Sequence, residues 1–348
     1  MRRRTLTAAL GLAAAAALVL TACAGESTET TDDTAAEPEF TVGVAYDLGG
    51  RGDGGFNDLA WDGATEAAEA AGGEVIESTA RAEDTDADRV ARLDLMAQGG
   101  ADPIIAVGYL YATALTEVAQ KYPDTSFAIV DDDTVDQPNV TSLMFAANEG
   151  SFLAGVAAAM ESTTGKVGFI GGVNIPLINE FQAGFDAGAL AADPDIELSA
   201  SYLTEPPDFN GFNDPQRGAE AANGMYDSGV DVIFAAAGGS GLGVFESADA
   251  AGTWAIGVDS DQYTTTDEPL NEVILTSMLK RVDVGVSSFI DSVLDGTVTA
   301  GTTVYDLSSD GVGYSTSGDF LSPETIETID EFAAQITSGE IVVPATLD

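Results

Sequence analysis

Short apolar runs alternate with amphipathic helical patterns along almost the whole chain after residue 40. Examples are the run Phe127–Val130 and the helical pattern Asp86–Gln98, which places Val90, Leu93 and Ala97 on one face. Continuous apolar strands separated by helices are typical of parallel sheets that helices cover on both faces. The sequence therefore predicts an α/β protein built on parallel sheets.

The stretch from Phe127 to Met160 divides this pattern into two halves. Each half predicts a Rossmann-like lobe. A late strand at Val273–Leu279 is expected to return to the first lobe, so that more than one crossover joins the lobes. Proteins of this outline bind a solute between their lobes and close by a hinge. The expected first lobe is 40–146 with about 273–300, and the expected second lobe is 147–272 with about 301–348.

The amino terminus has the features of a secretory signal. Three arginines at positions 2 to 4 precede the apolar run Leu6–Leu20, which is too short to span a membrane. The run ends in Leu-Thr-Ala-Cys23, which resembles the bacterial lipobox, whose cysteine is acylated and becomes the first residue. We therefore predict a signal peptide at 1–22 and a lipidated Cys23 that begins an acidic, disordered tether through residue 39. A chance cysteine after a signal peptide is the alternative.

Composition restricts the chemistry open to the chain. The sequence holds 58 Asp and Glu against 12 Lys and Arg, and it has no histidine. Such an acidic surface repels nucleic acid and anionic lipid headgroups, so neither is an expected partner. The missing histidine removes the commonest general base and every His-ligated metal site. Because Cys23 is the only cysteine, no disulfide can form within the chain. We expect a binding protein, not an enzyme, without cofactor or metal.

A glycine-rich segment follows the first predicted strand. It reads DLGGRGDGGFN from Asp47 to Asn57 and leads into a helix. Glycines let the backbone approach a ligand closely, and the N–H groups that open a helix point outward along its axis. The segment lacks the ending of a phosphate-binding loop and the glycine spacing of a dinucleotide site. Phe56 and Asn57 are therefore candidates for ligand contact, with a hydrophobic staple as the alternative role of Phe56.

Two further candidates stand at the ends of predicted strands. Asp131 ends the strand Phe127–Val130, and ligands of open α/β sheets bind beyond the carboxyl ends of strands. A solvated turn of three consecutive aspartates is the alternative. Lys280, one of three lysines in the chain, comes just after the strand Val273–Leu279. A lone surface lysine is the alternative there.

Several segments occur together and in one order along the chain. They are the glycine-rich segment, FAIVD ending at Asp131, QAGF, AAGGSGLGVFESA, WAIGVDSDQ, and SMLKRVDVGV around Lys280. Together they resemble the basic membrane protein family of bacterial lipoproteins, the purine-nucleoside-binding components of ATP-driven importers. The resemblance runs from Phe40 to about Val312. It implies a type I periplasmic-binding-protein fold with two α/β lobes of parallel strands.

The resemblance implies that four residues bind a purine base. Phe56 would stack on one face and Phe212 on the other, while Asn57 and Asp131 would hydrogen-bond its edge. These residue types suit a purine, which is a flat π surface with donor and acceptor edges. Phe209 lies in the same segment as Phe212 and is the alternative stacking residue.

The resemblance also implies how the sugar is held. Gly239 would offer its backbone, Asp259 and Lys280 would hold the ribose hydroxyls, and Asp47 would lie near the 5′ side. A ribose diol donates well to a carboxylate and accepts from an ammonium group. We expect Asp259 and Lys280 to face each other across the cleft. The chain departs from the family pattern at Gly55, where serine is usual.

The sequence thus predicts an extracytoplasmic, lipid-anchored solute-binding protein that captures a purine nucleoside and delivers it to an ABC permease. The expected partners are the nucleoside, the permease and, through the lipid anchor only, the cell membrane. The protein itself is expected to be a monomer. A ligand-sensing lipoprotein of the same fold is one alternative. A nucleoside hydrolase that uses Asp47 with the carboxylates at 131–133 is another.

Overall fold

The structure, a computed structural model, describes residues 40–347. The predicted signal peptide, Cys23 and the tether lie outside the described residues. The strands are β1 (Thr41–Tyr46), β2 (Glu74–Thr79), β3 (Ile104–Val107), β4 (Phe127–Val130), β5 (Val140–Phe145), β6 (Lys166–Val173), β7 (Glu197–Thr204), β8 (Val232–Ala236), β9 (Trp254–Asp259), β10 (Ile274–Lys280), β11 (Gly301–Tyr305) and β12 (Val312–Tyr314). The helices are α1 (Phe56–Ala70), α2 (Asp86–Gln98), α3 (Ala112–Lys121), α4 (Ala147–Glu161), α5 (Pro176–Ala192), α6 (Pro215–Asp227), α7 (Gly241–Ala251), α8 (Gln262–Thr265), α9 (Val282–Leu294) and α10 (Pro323–Thr337).

The first sheet has the strand order β11-β5-β4-β3-β1-β2, and its neighbouring strands are all parallel. Successive residues of a strand point to opposite faces, so each face receives its own set of apolar side chains. Val44 of β1 belongs to an apolar cluster with Ala60 and Ala64 of α1. Its neighbour Ala45 belongs to a second cluster with Leu93 of α2. Helices therefore cover both faces of this sheet.

The second sheet has the order β12-β10-β9-β8-β6-β7 and is parallel except for β12, which runs antiparallel to β10. On one face, the ring of Phe234 packs against Phe169 of β6 and Phe185 of α5. The distance between ring centroids is 5.6 Å in both contacts. On the other face Ile170 joins an apolar cluster with Phe245 of α7. The two sheets confirm the predicted fold class of two Rossmann-like lobes.

The chain passes between the lobes three times: from β5 into α4, from β10 into α9, and from β11 to β12. Helix α4 packs against α5 in the second lobe, and α9 packs against α1 in the first. The contact of α1 with α9 is close at Gly63. A Cβ there would lie 2.2 Å from the backbone oxygen of Asp283, so only glycine permits this approach. These three passages confirm the prediction that more than one crossover joins the lobes.

The late strand β10 lies in the second sheet, where it pairs with β9. The expectation that Val273–Leu279 returns to the first lobe is therefore wrong. Strand β11, which the sequence pattern does not predict, is the late strand that joins the first sheet, where it pairs with β5. The segment near 273 therefore belongs to the second sheet and the segment near 301 to the first, which is the reverse of the expected division. A fully buried strand has the same apolar pattern in either sheet, so its pattern does not select one. Strand β11 is an exposed edge strand without an apolar run, and it leaves little signal.

Candidate functional site

A cleft lies between the carboxyl ends of the two sheets. The open space within it is about 640 Å³, including the part that is continuous with solvent. Residues that follow β1, β3 and β4 line it from the first lobe, and residues at the ends of β8, β9 and β10 line it from the second. The cleft brings together all eight predicted ligand-binding residues: Asp47, Phe56, Asn57, Asp131, Phe212, Gly239, Asp259 and Lys280.

Two aspartates shape the glycine-rich loop before α1. The carboxylate of Asp53 accepts the backbone N–H groups of Asn57, at 3.0 Å, and Asp58, at 3.3 Å. Asp58 in turn accepts from the N–H groups of Gly52, at 2.8 Å, and Gly54, at 2.9 Å. Both glycines have positive φ, of 92° and 65°, which non-glycine residues rarely adopt. The loop is thereby held in a form that starts α1 at the wall of the cleft.

The side-chain amide of Asn57 is oriented by two carboxylates. Its Nδ2 donates to Asp47 Oδ1 and to Asp53 Oδ2, each at 2.9 Å. Because only the NH₂ group can donate, these contacts assign the amide nitrogen and oxygen. The oxygen, Oδ1, is buried and accepts no hydrogen bond from the described residues. Asn57, which lines the cleft, therefore has an acceptor atom that no described residue uses, next to two acidic groups.

Asp131 and Asp259 occupy equivalent positions in the two lobes. Asp131 directly follows β4 and Asp259 ends β9, and both line the cleft. Their φ angles are 63° and 67°, which is the left-handed region. Such backbone conformations are uncommon for residues with a side chain and concentrate at functional sites. Asp131 thus lies at the predicted strand end. It is buried, and so it is not part of the solvated turn of the alternative interpretation.

Lys280 is a buried cation, with only 2% of its surface exposed. Its ammonium donates to the carboxylate of Asp131 on the other lobe. The same nitrogen lies 4.7 Å from the ring centroid of Phe56, 5.4 Å from that of Phe145 and 5.7 Å from that of Phe181. Aromatic faces attract a cation, more strongly where water is excluded. Lys280 is therefore not the lone surface lysine of the alternative interpretation.

The expected arrangement of Asp259 and Lys280 needs correction. Strands β9 and β10 are parallel neighbours, and Leu279 lies opposite Asp259 in their register. Asp259 and Lys280 therefore come from the same sheet and do not face each other across the cleft. The residue that meets Lys280 from the other lobe is Asp131, because β10 joined the second sheet.

Aromatic residues line the cleft from both lobes. Phe56 starts α1 in the first lobe, and Phe212 lies in the segment between β7 and α6 in the second. Phe209 is not part of the lining. Its ring packs edge-on against Tyr109 of the first lobe, with centroids 6.1 Å apart and an interplanar angle of 71°. Of the two alternatives for the stacking residue, Phe212 is the one with access to the cleft, while its contact with a base stays a prediction.

The family model described as "ABC transporter substrate-binding protein PnrA-like" matches residues 40–347. The chain belongs to this family. Its members are substrate-binding proteins of ABC transporters, which confirms the resemblance found in the sequence.

Individual relatives agree with this assignment. A "CD4+ T-cell-stimulating antigen" of Listeria innocua is 36% identical to the PnrA-like chain, with 99% of each chain covered. The "ABC transporter nucleoside-binding protein BmpA" of Lactococcus lactis subsp. cremoris is 31% identical, over 99% of this chain and 100% of the relative. Among solved structures, an ABC transporter solute-binding protein from Aeropyrum pernix K1 has a TM-score of 0.76 at 29% identity. The match covers 88% of this chain and 94% of that one.

Acidic groups dominate the electrostatics of this PnrA-like cleft. Burial raises the pKa of Asp259 to about 7, although the nearby charge of Lys280 lowers it. Burial also raises the pKa of Asp47 to about 6, opposed by hydrogen bonds from Asn57 and the Gly49 backbone. Lys280 is the one cation among the lining residues that the structure describes. The cleft therefore favours neutral ligands rich in hydrogen-bond donors and disfavours phosphate.

Sequence reasoning missed several residues of the lining. Asp53 sits inside the glycine-rich segment, but its role in holding the loop depends on hydrogen bonds that the sequence does not show. Tyr109 follows β3 at the carboxyl edge of the first sheet, so the strand-end rule that found Asp131 also applies to it. Leu177, Ile178 and Phe181 come from the start of α5, and their helical spacing looks like ordinary core packing.

Within residues 40–347, no three carboxylate side chains converge where they could hold a metal ion. Of the helices described there, none has the length and apolar character needed to cross a membrane.

Proposed function

We propose that this PnrA-like protein captures a purine nucleoside between its lobes, without changing it chemically, and delivers it to the permease of an ABC importer. It acts outside the cytoplasm as a monomer, held at the membrane by lipid on Cys23. The observation that carries the proposal is the pair of aromatic residues, Phe56 and Phe212, that line one cleft from opposite lobes beside the unused acceptor of Asn57.

A purine suits the base end of this cleft. Its flat ring gains from two aromatic faces, at roughly 1–3 kcal/mol for each stacking contact. Purines also carry ring N–H or exocyclic amine groups at their edges. Such a group can donate to Asn57 Oδ1, a buried acceptor that has no partner in the described part of the chain. Asp131 lies in the same lining and completes a polar edge beside the aromatic faces.

A ribose suits the other polar groups. Asp47 and Asp259 offer carboxylate acceptors to hydroxyl donors, and the Lys280 ammonium offers a donor in return. The backbone of Gly239 lies at the same wall of the cleft. A phosphorylated ligand would bring negative charge against these carboxylates, which makes a nucleoside a better ligand than a nucleotide. The printed name of the Lactococcus relative, a nucleoside-binding protein, supports the same ligand class.

The test is a thermal-shift screen of residues 40–348 against nucleosides, free bases, pentoses, 5′-nucleotides and amino acids, followed by calorimetry of each compound that raises the melting temperature. We expect purine nucleosides to raise it most and nucleotides not at all. Chromatography of the ligand after incubation should return intact nucleoside, whereas release of free base would indicate a hydrolase. Stabilisation by pentoses or amino acids with none by nucleosides would overturn the proposal.

The membrane anchor has a separate test on the full chain. A Cys23→Ser variant should lose membrane retention, because the acyl chains attach through this thiol. Intact-mass analysis of wild-type protein should show acylation at a new amino terminus that begins with Cys23. A mature protein that begins elsewhere and carries no lipid would remove the lipoprotein part of the proposal while leaving the ligand part standing.

A further inference from the structure

Tyr109 has a hydroxyl group that the fold leaves unused at the cleft. The residue lines the cleft just after β3, and its Oη is buried without a hydrogen-bond partner among the described residues. Its ring is held by the edge-on contact with Phe209 of the opposite lobe. A buried polar atom without a partner is costly, so such an atom in a binding cleft indicates a contact that a ligand completes.

Gly108, which directly precedes Tyr109, packs closely against Asp47. This glycine has a φ of 95°, and a Cβ on it would lie 3.3 Å from Oδ2 of Asp47. The backbone of Gly108, just after β3, therefore lies against the carboxylate of Asp47, just after β1. Asp47 and Tyr109 therefore follow the ends of adjacent strands, and both line the cleft.

The two groups are chemically complementary. The phenol is neutral and keeps its proton, because burial first and the charge of Asp47 second raise the pKa of Tyr109. It can therefore donate, while the ionised carboxylate of Asp47 can only accept. A single ligand atom that contacts both groups must accept a hydrogen bond from the phenol and donate one to the carboxylate. A hydroxyl group does so.

We propose that Tyr109 is a specificity-determining residue that donates a hydrogen bond to one hydroxyl group of the ligand, while the same hydroxyl donates to Asp47. The inference rests on the proposed nucleoside function and extends it. Tyr109 would make the protein select ligands with a free hydroxyl at this position, and reject those in which it is absent or phosphorylated.

The experiment is calorimetry at about pH 8, where Asp47 is ionised, with a nucleoside and its 2′-, 3′- and 5′-deoxy analogues. Wild type and Tyr109→Phe are compared, since phenylalanine keeps the ring and its contact with Phe209. One deoxy analogue should bind wild type at least about tenfold more weakly than the parent nucleoside. We call the loss of affinity on removing one hydroxyl group from the ligand its deoxy penalty. In Tyr109→Phe the parent nucleoside should bind about five- to tenfold more weakly than in wild type, and the deoxy penalty of that one analogue should shrink by a similar factor. The other two penalties should be unchanged.

Tyr111→Phe is the matched control. Tyr111 is fully buried, and its hydroxyl donates to the backbone oxygen of Tyr46 at 3.0 Å, away from the cleft lining. Its removal should lower the melting temperature and leave all deoxy penalties as in wild type.

Three results would overturn the inference, and each shows whether the role of Tyr109 or the proposed function is wrong. If wild type binds nucleosides and Tyr109→Phe keeps all three deoxy penalties, the role of Tyr109 is wrong and the proposed function stands. If Tyr111→Phe shrinks the same penalty as Tyr109→Phe, the effect is structural and the role of Tyr109 is again wrong. If wild type binds no nucleoside, the proposed function fails and the inference fails with it.

Discussion

Lys280 at the end of β10 and Asp131 after β4 form a buried ion pair that joins the two lobes across the cleft. Their side chains are 3% and 5% exposed. Opening of the cleft would separate the pair and return both charges to water. Lys280, which we propose contacts the ligand, is therefore also part of the contact between the lobes. A ligand that binds Lys280 would in this way couple binding to the relative position of the sheets.

Replacing Lys280 should destabilise the protein strongly. In Lys280→Met, as long as the cleft stays closed, the carboxylate of Asp131 is buried without its partner, and breaking a buried pair in this way typically costs roughly 3–5 kcal/mol. Urea unfolding of the ligand-free protein measures the effect. The double variant Lys280→Met/Asp131→Asn removes both charges and should recover a part of the lost stability. Single and double variants of equal stability would show that the pair does not act as a unit.

Phe212 and Phe209 should differ in their effects on binding. Phe212→Ala removes a ring that lines the cleft, and it should weaken purine nucleoside binding by about five- to a hundredfold. Phe209→Ala removes a ring that supports Tyr109 from outside the lining, so its effect on affinity should be smaller. Calorimetry with one nucleoside compares the two. A larger loss in Phe209→Ala would reverse the assignment of the stacking residue.

Asp259 should make stability depend on pH. Its pKa is about 7 in the folded protein, against about 4 for an ordinary aspartate. Between these values the folded state binds more protons than the unfolded state, so the contribution of Asp259 falls as pH rises from about 4 to about 7. Asp259→Asn does not titrate. Its stability relative to wild type should rise across this window, by roughly 1.4 kcal/mol for each unit of the pKa difference.

The measurement for Asp259 is urea unfolding at about pH 5 and about pH 8, without ligand. A difference between Asp259→Asn and wild type that is the same at both pH values would contradict the raised pKa.

Gly63 tests the close contact between α1 and α9, and Gly224 of α6 serves as its comparison. Gly63→Ala would place a Cβ 2.2 Å from the backbone oxygen of Asp283, and overpacking of this kind typically costs roughly 1–3 kcal/mol. Gly224 of α6 is exposed, with nothing within 4 Å of an added Cβ. Gly224→Ala should therefore stabilise the protein, by about 0.5–1 kcal/mol, because alanine favours the helix. Unfolding midpoints that shift in the same direction would contradict the close packing at Gly63.

The sequence by itself determined the fold class and the location of the cleft. Apolar runs alternating with helices are compatible with little other than parallel sheets covered on both faces. In such sheets the residues after each strand collect at one edge, and this rule alone leads to Asp131 and Lys280. The resemblance to a family added Phe212, Gly239 and Asp259, and all of them line the cleft.

The tertiary structure alone decided which sheet each late strand joins. Strand β10 is buried on both faces, and its pattern fits either sheet equally well. Strand β11 is exposed at an edge, and its pattern hardly indicates a strand at all. The choice depends on contacts between residues far apart in the chain. It made Asp131, and not Asp259, the residue that meets Lys280 from the opposite lobe.

The hydrogen-bonding state of the cleft was likewise decided by the folded structure. A sequence shows that Asn57 and Tyr109 carry polar atoms, but it does not show whether other residues use them. In the fold, two carboxylates accept from the amide nitrogen of Asn57, while its oxygen and the hydroxyl of Tyr109 are buried without partners among residues 40–347. Whether a buried polar group is satisfied depends on distances and angles across the whole site, and these exist only once the lobes are packed.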